Sequence, residues 1–84
     1  MTSRASTRFW RLYHQLPPQV QRLADKNYRL WQTNHWHPSL HFKKVGQYWS
    51  ARVGLHHRAL GLDVMDGVLW IWIGTHSEYD DLVG

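Results

Sequence analysis

The sequence predicts an α+β fold in which an N-terminal helical hairpin packs on a four-stranded antiparallel sheet. Three observations lead there. Apolar residues recur at helical spacing on both sides of Pro17-Pro18. From Leu40 onward the chain breaks into short alternating or wholly apolar runs, separated by Gly46, Gly54 and Asp66-Gly67. The last run, Val68 to Ile73, is six apolar residues in a row, which suits a strand that is central in its sheet or meets a partner on its second face. The 84 residues are expected to make one domain, residues 1–84, with one small core.

Met1 to Ala5 carries no pattern and is expected to fray. Ser6 or Thr7 can cap a helix, because a side-chain hydroxyl accepts from the free N–H groups of the first turn. Phe9, Leu12, Tyr13 and Leu16 then mark one apolar face, with Arg8, Arg11 and Gln15 on the other side. Pro17-Pro18 stops this helix and starts a second, since proline disfavours helix in the residue before it and suits a first turn. The second helix is expected to reach about Gln32, burying Val20, Leu23, Ala24, Asn27 and Trp31. Thr33 to Ser39 reads as a loop. Strands are expected over Leu40–Val45, Gln47–Val53, His57–Leu62 and Val68–Ile73. In the last of these, strict alternation would put Trp70 and Trp72 on one face and Leu69, Ile71 and Ile73 on the other. The residues after Gly74 read as a short polar tail.

Without cysteine, disulfides and thiolate metal sites are excluded. There is no apolar run of about 18 residues and no charged-then-apolar leader, so neither a membrane span nor a signal peptide is expected and the chain is placed in the cytoplasm. The net charge of +4 is unevenly spread. All ten Lys and Arg lie at or before Arg58, where Asp25 is the sole acid, and the other five acids fall between Asp63 and Asp81. A basic body points to a polyanionic or acidic partner, with ordinary solubilising charge as the plainer alternative. Six tryptophans are more than so small a core hides, so at least one or two are expected to face a partner.

Histidine is the residue type best suited to proton transfer near neutrality. His35, His37 and His41 form H-x-H-x3-H, and zinc accepts three imidazoles and a water. These three straddle a loop and a strand, with Pro38 between them and no carboxylate nearby in sequence, so no metal and no cofactor is expected. His76 stands just after the last strand, close to Glu78 and Tyr79, and is the better candidate for chemistry.

The segments FKK, WSARVGLHHRALG and WIWIGTHSEYDDL, in this order and spacing, resemble the RelE/ParE superfamily of bacterial toxins, from about Phe9 to Leu82. The resemblance implies the toxin of a type II toxin–antitoxin module, held inactive by a cognate antitoxin protein. Many RelE-like members are endoribonucleases that cleave mRNA in the ribosomal decoding site, which makes mRNA and the ribosome, through its rRNA phosphates, the implied partners. Relatives on the ParE side inhibit DNA gyrase instead, and an inactive relative that only pairs with its antitoxin is a third outcome.

Carried onto this chain, the resemblance assigns Arg58 to the scissile phosphate and Arg52 to the arginine one strand earlier. It assigns His76 to the basic position after the last strand, and Tyr79 to the C-terminal tyrosine. Tyr48 and Ser50 stand where the nucleases carry two alternating lysines, so Lys43 and Lys44 are the candidates to supply that charge. Metal-independent RNA cleavage needs a base for the 2′-hydroxyl proton, an acid for the leaving 5′-oxygen and cations around the phosphate. His76 would be the acid or base, Arg58 the clamp, Tyr79 a stacking or proton-donating group, and Glu78 the residue orienting His76. The nuclease reading requires His76, Tyr79 and Arg58 to converge at one rim of the sheet.

Overall fold

The computed structural model describes residues Met1–Gly84. Its elements are β1 (Thr2–Ala5), α1 (Thr7–His14), α2 (Pro18–Thr33), β2 (Lys43–Val45), β3 (Tyr48–Val53), β4 (His57–Val64), β5 (Gly67–Thr75) and α3 (His76–Val83), with a single 3-10 turn at Pro38–Leu40. Ser6 starts α1 by accepting the Phe9 N–H on its hydroxyl at 3.1 Å. Pro18 occupies the first turn of α2, where its missing N–H costs nothing. The helical hairpin and the meander are therefore as the apolar spacing and the breakers predict.

The sheet has five strands rather than four, in the order β1-β5-β4-β3-β2. Met1 to Ala5 does not fray: β1 pairs in parallel with β5, Ser3 opposite Val68 and Ala5 opposite Trp70. Without it, β5 would present an unpaired edge on the most apolar strand of the protein. Ser3 ties the strand down further, its hydroxyl receiving the Trp70 indole N–H at 3.0 Å and the Tyr28 hydroxyl at 3.1 Å. The four residues of β1, Thr-Ser-Arg-Ala, include no large apolar side chain, so although their burial alternates the sequence shows no apolar alternation to read. The expected strand from Leu40 is shorter than predicted. Pro38 makes Leu40 part of the 3-10 turn, and His41 adopts a left-handed conformation before β2 begins.

A β-bulge changes which side chains share a face. β4 and β5 pair Leu60 with Trp72 but Gly61 with Trp70, leaving Ile71 as the extra residue. Trp70 and Ile73 therefore face the helical hairpin, whereas Trp72 turns to the opposite face. The expectation of paired tryptophans on one face is corrected by this single insertion. Gly61 makes room for it: a Cβ there would collide with the Val68 side chain and come within 3.1 Å of the Trp70 ring.

Two apolar clusters result. The larger lies between hairpin and sheet and holds Trp31, Leu40, Phe42, Val53, Val68, Trp70 and Ile73. Trp31 packs edge-to-face on Phe42 and Trp70, with ring centroids 5.7 and 5.8 Å away. The smaller, Leu60, Trp72 and Tyr79, lies on the opposite face beneath α3. That helix replaces the polar tail expected from composition. Two tryptophans remain outside the core, Trp10 at 47% and Trp36 at 61% exposure. No helix is long and apolar enough to cross a membrane.

Candidate nucleic-acid interface

Strand register gathers the basic residues. Arg52 lies directly opposite Arg58 on β3 and β4, Ser50 lies opposite Leu60, and Lys43 lies opposite Ser50. These pairs share the face that carries the smaller cluster, away from the hairpin. Like charges opposite one another on paired strands repel, and neither arginine has a carboxylate partner. Lys44 pairs with Asp63 at 2.9 Å, and His76 Nδ1 lies 3.1 Å from Asp80 Oδ2, a contact that is ionic only when the imidazole is protonated. Arg52 instead donates through Nε to the Gly54 carbonyl at 3.1 Å and through Nη1 to His41 Nε2 at 3.2 Å. The Arg58 guanidinium lies 5.5 Å from the centre of the Tyr79 ring. Its Nε is buried without a hydrogen-bond partner, as is the hydroxyl of Ser50, a residue wholly inaccessible to solvent.

His76 is the first residue of α3. Its N–H donates to the His56 carbonyl at 2.8 Å, which ties the helix to the turn between β3 and β4. Its ring lies 6.0 Å from the Tyr79 ring and its Nδ1 lies 3.1 Å from Asp80 Oδ2. Arg58 and His76 thus both lie against the Tyr79 ring, and the three residues meet at one rim of the sheet. Tyr79 is only 7% exposed and packs with Leu60 and Trp72, so its ring forms a shelf under the guanidinium.

Glu78 does not orient His76, contrary to expectation. Its Oε1 accepts the Thr75 N–H and the Thr75 hydroxyl, both at 2.9 Å, while the Glu78 N–H donates to Thr75 Oγ at 3.1 Å. This reciprocal capping box satisfies donors that the start of a helix leaves free. The Thr75 backbone N–H, followed by its hydroxyl, holds the Glu78 carboxyl below its ordinary pKa.

Lys43 is exposed on the arginine-bearing face, but Lys44 is not there. Adjacent strand residues point to opposite faces, and Lys44 lies 5.0 Å over the Trp49 ring and pairs with Asp63. Hydrogen bonds from Lys44 and then from the Trp49 indole at 3.2 Å keep the Asp63 carboxyl below its ordinary pKa. The H-x-H-x3-H histidines are engaged one by one: His35 Nδ1 with the Trp31 carbonyl, His37 with Ser39, and His41 with Arg52. His57 has its pKa lowered by burial and then by neighbouring His56, with Glu78 opposing.

Two features of this rim were not read from the sequence. The Arg52–Arg58 opposition depends on register. The Asp80 partner of His76 depends on recognising α3, whose signal was present as Thr75-x-x-Glu78 before an amphipathic turn. A cavity of about 310 Å³ lies elsewhere, between the hairpin, β1 and β5, lined by Phe9, Trp10, Tyr13, Tyr28, Trp31 and Trp70 among others. It is apolar and shares no residue with the rim.

No protein-family model matches the chain, and no curated protein matches it. A solved structure does: the RelB–RelE antitoxin–toxin complex from Methanococcus jannaschii superposes with a TM-score of 0.73 over 96% of this chain and 99% of that chain. The fold is that of RelE. The sequences are 14% identical, so the likeness lies in architecture. The RelE-like fold spans nearly the whole chain, hairpin, sheet and rim together, which agrees with the resemblance read from the three sequence segments.

Proposed function

We propose that this chain is the toxin of a type II toxin–antitoxin module and a metal-independent endoribonuclease that cleaves mRNA at the ribosome, in the cytoplasm. The observation that carries this reading is the convergence of Arg58, Tyr79 and His76 at one rim, on a face where Arg52 opposes Arg58 and neither arginine is neutralised by a carboxylate. Two like charges so placed favour a phosphate between or above them, which guanidinium groups bind by paired N–H donors.

In this reading Arg58 holds the scissile phosphate, steadied by the Tyr79 ring. His76 takes the proton of the 2′-hydroxyl, whose oxygen bonds to phosphorus as the bond to the 5′-oxygen breaks. The products are a 2′,3′-cyclic phosphate and a 5′-hydroxyl. Arg52 and Lys43 hold flanking phosphates, and the hairpin residues Arg8, Arg11, Arg22, Lys26 and Arg29 contact rRNA phosphates without reading sequence. A cognate antitoxin is the protein partner, in keeping with the structural neighbour, which is an antitoxin–toxin complex.

Expression in a host tests the assignment. His76→Ala and Arg58→Ala should each relieve growth arrest while keeping wild-type circular dichroism and thermal unfolding. Full toxicity in both variants removes the site. A second reading is favoured by Tyr48 and Ser50, which replace the two lysines of the nucleases. It is a gyrase inhibitor that binds without cutting, and it predicts DNA-damage signalling with no new RNA ends.

A further inference from the structure

We infer that Asp80 is a positioning residue for His76: it fixes the imidazole tautomer so that Nε2 is the ring nitrogen presented to RNA. The inference rests on the nuclease reading and adds the group that gives His76 its role.

The two residues are four apart on α3 and therefore lie on one face of the helix. Nδ1 and Asp80 Oδ2 are 3.1 Å apart. An ionised carboxylate only accepts hydrogen bonds, so Nδ1 carries the hydrogen, and in the neutral ring Nε2 keeps its lone pair. An unrestrained histidine prefers the opposite tautomer, with the hydrogen on Nε2. Asp80 therefore selects the form that can act as a base at the outward nitrogen.

The ring is fixed from more than one side. The His76 N–H is held by the His56 carbonyl at 2.8 Å, and the first turn of α3 is held by the Thr75–Glu78 capping box. The ring itself stands beside Tyr79 at 6.0 Å. Glu78, the nearer carboxylate in sequence, is committed to Thr75, which leaves Asp80 as the carboxylate partner of the ring. During cleavage Nε2 takes the 2′-hydroxyl proton, the 2′-oxygen bonds to phosphorus, and the bond to the 5′-oxygen breaks. The leaving oxygen takes a proton from water, and the imidazolium that forms, stabilised by the Asp80 carboxylate, gives its proton to the hydroxide left behind, which restores the neutral ring. Asp80 touches no RNA in this scheme. Because its side chain is 60% exposed and that of His76 is 45% exposed, its effect is smaller than that of a buried aspartate behind a catalytic histidine.

Two measurements test this, and one needs no RNA. Long-range proton–nitrogen NMR of the His76 ring should show the hydrogen on Nδ1 in the wild type and on Nε2 in Asp80→Ala. An Nε2–H ring in the wild type, or no change in the variant, overturns the inference. In the second, cleavage of mRNA on programmed ribosomes, Asp80→Ala should lower kcat by about 10-fold with KM unchanged. An unchanged kcat, or an effect on KM alone, overturns it as well. Asp80→Asn, which keeps the side-chain shape, should also lower kcat, and Asp81→Ala should alter neither readout. A change with Asp81→Ala equal to that with Asp80→Ala shows that the helix has merely loosened, and contradicts the inference. If the wild type cuts no RNA the nuclease reading fails, and NMR still decides whether Asp80 sets the tautomer.

Discussion

Arg58 shows how much a single side chain can reveal before its neighbours are known. The resemblance to RelE-like toxins made it a phosphate candidate, and in the structure its guanidinium lies 5.5 Å from the centre of the Tyr79 ring. Arg58→Lys keeps the charge but loses the planar fork, so cleavage should fall by about 10-fold or more while unfolding is unchanged. Lys44 shows the opposite case. It looked equivalent to Lys43 in sequence, yet alternation sent it to the other face, and Asp63, 19 residues away, captured it. Asp63 also gives a pH signature. Its carboxyl titrates below the ordinary 3.8, so the stability it adds is complete above that pH and is lost as pH falls through the lower folded-state value. Acid unfolding of Asp63→Asn should lack this component. The burial of Ser50 could not be read from the sequence, because burial of a hydroxyl without a partner depends on what covers it. Ser50→Ala should be neutral or stabilising by up to about 1 kcal/mol in urea unfolding, since the buried hydroxyl makes no bond that is lost.

Helices α1 and α2 and strands β3 to β5 were legible because periodicity and breakers act locally. Three elements were not. β1 is held by parallel backbone pairing with a strand more than sixty residues away, and nothing in its own four residues announces that. The bulge adds one residue to β5 and reverses the face of Trp72, an event set by how Gly61, Val68 and Trp70 fit together. Gly61→Ala should therefore cost about 1–3 kcal/mol in chemical unfolding, because overpacking forces Val68 or Trp70 to move. α3 was hidden by its polar composition, although its capping box was written in the sequence. Thr75→Ala should destabilise by about 1 kcal/mol and raise hydrogen exchange along α3 before the rest of the chain opens. The turn beneath α3 is pH-sensitive in a direction that can be stated. His57 titrates below 6.5 when folded, so the unfolded chain takes the proton first. Stability is complete above pH 6.5 and declines as pH falls below it, and His57→Gln should flatten that decline.

At the scale of the molecule, charge and fold separate two tasks. The hairpin covers one face of the sheet and buries the larger apolar cluster, while the other face carries Lys43, Arg52 and Arg58 up to the rim where α3 brings His76 and Tyr79. The skew of charge along the chain was visible at once, but its meaning depended on register, which alone placed the two arginines face to face. If this face binds phosphates as proposed, its affinity for ribosomes or RNA should fall steeply with added salt. The central claim is that this rim cuts RNA. Mapping RNA 5′ ends shortly after induction tests it most directly. The account predicts new 5′-hydroxyl ends within translated frames for the wild type and none for His76→Ala or Arg58→Ala. Growth arrest with intact RNA, or the same cuts from either variant, would contradict it.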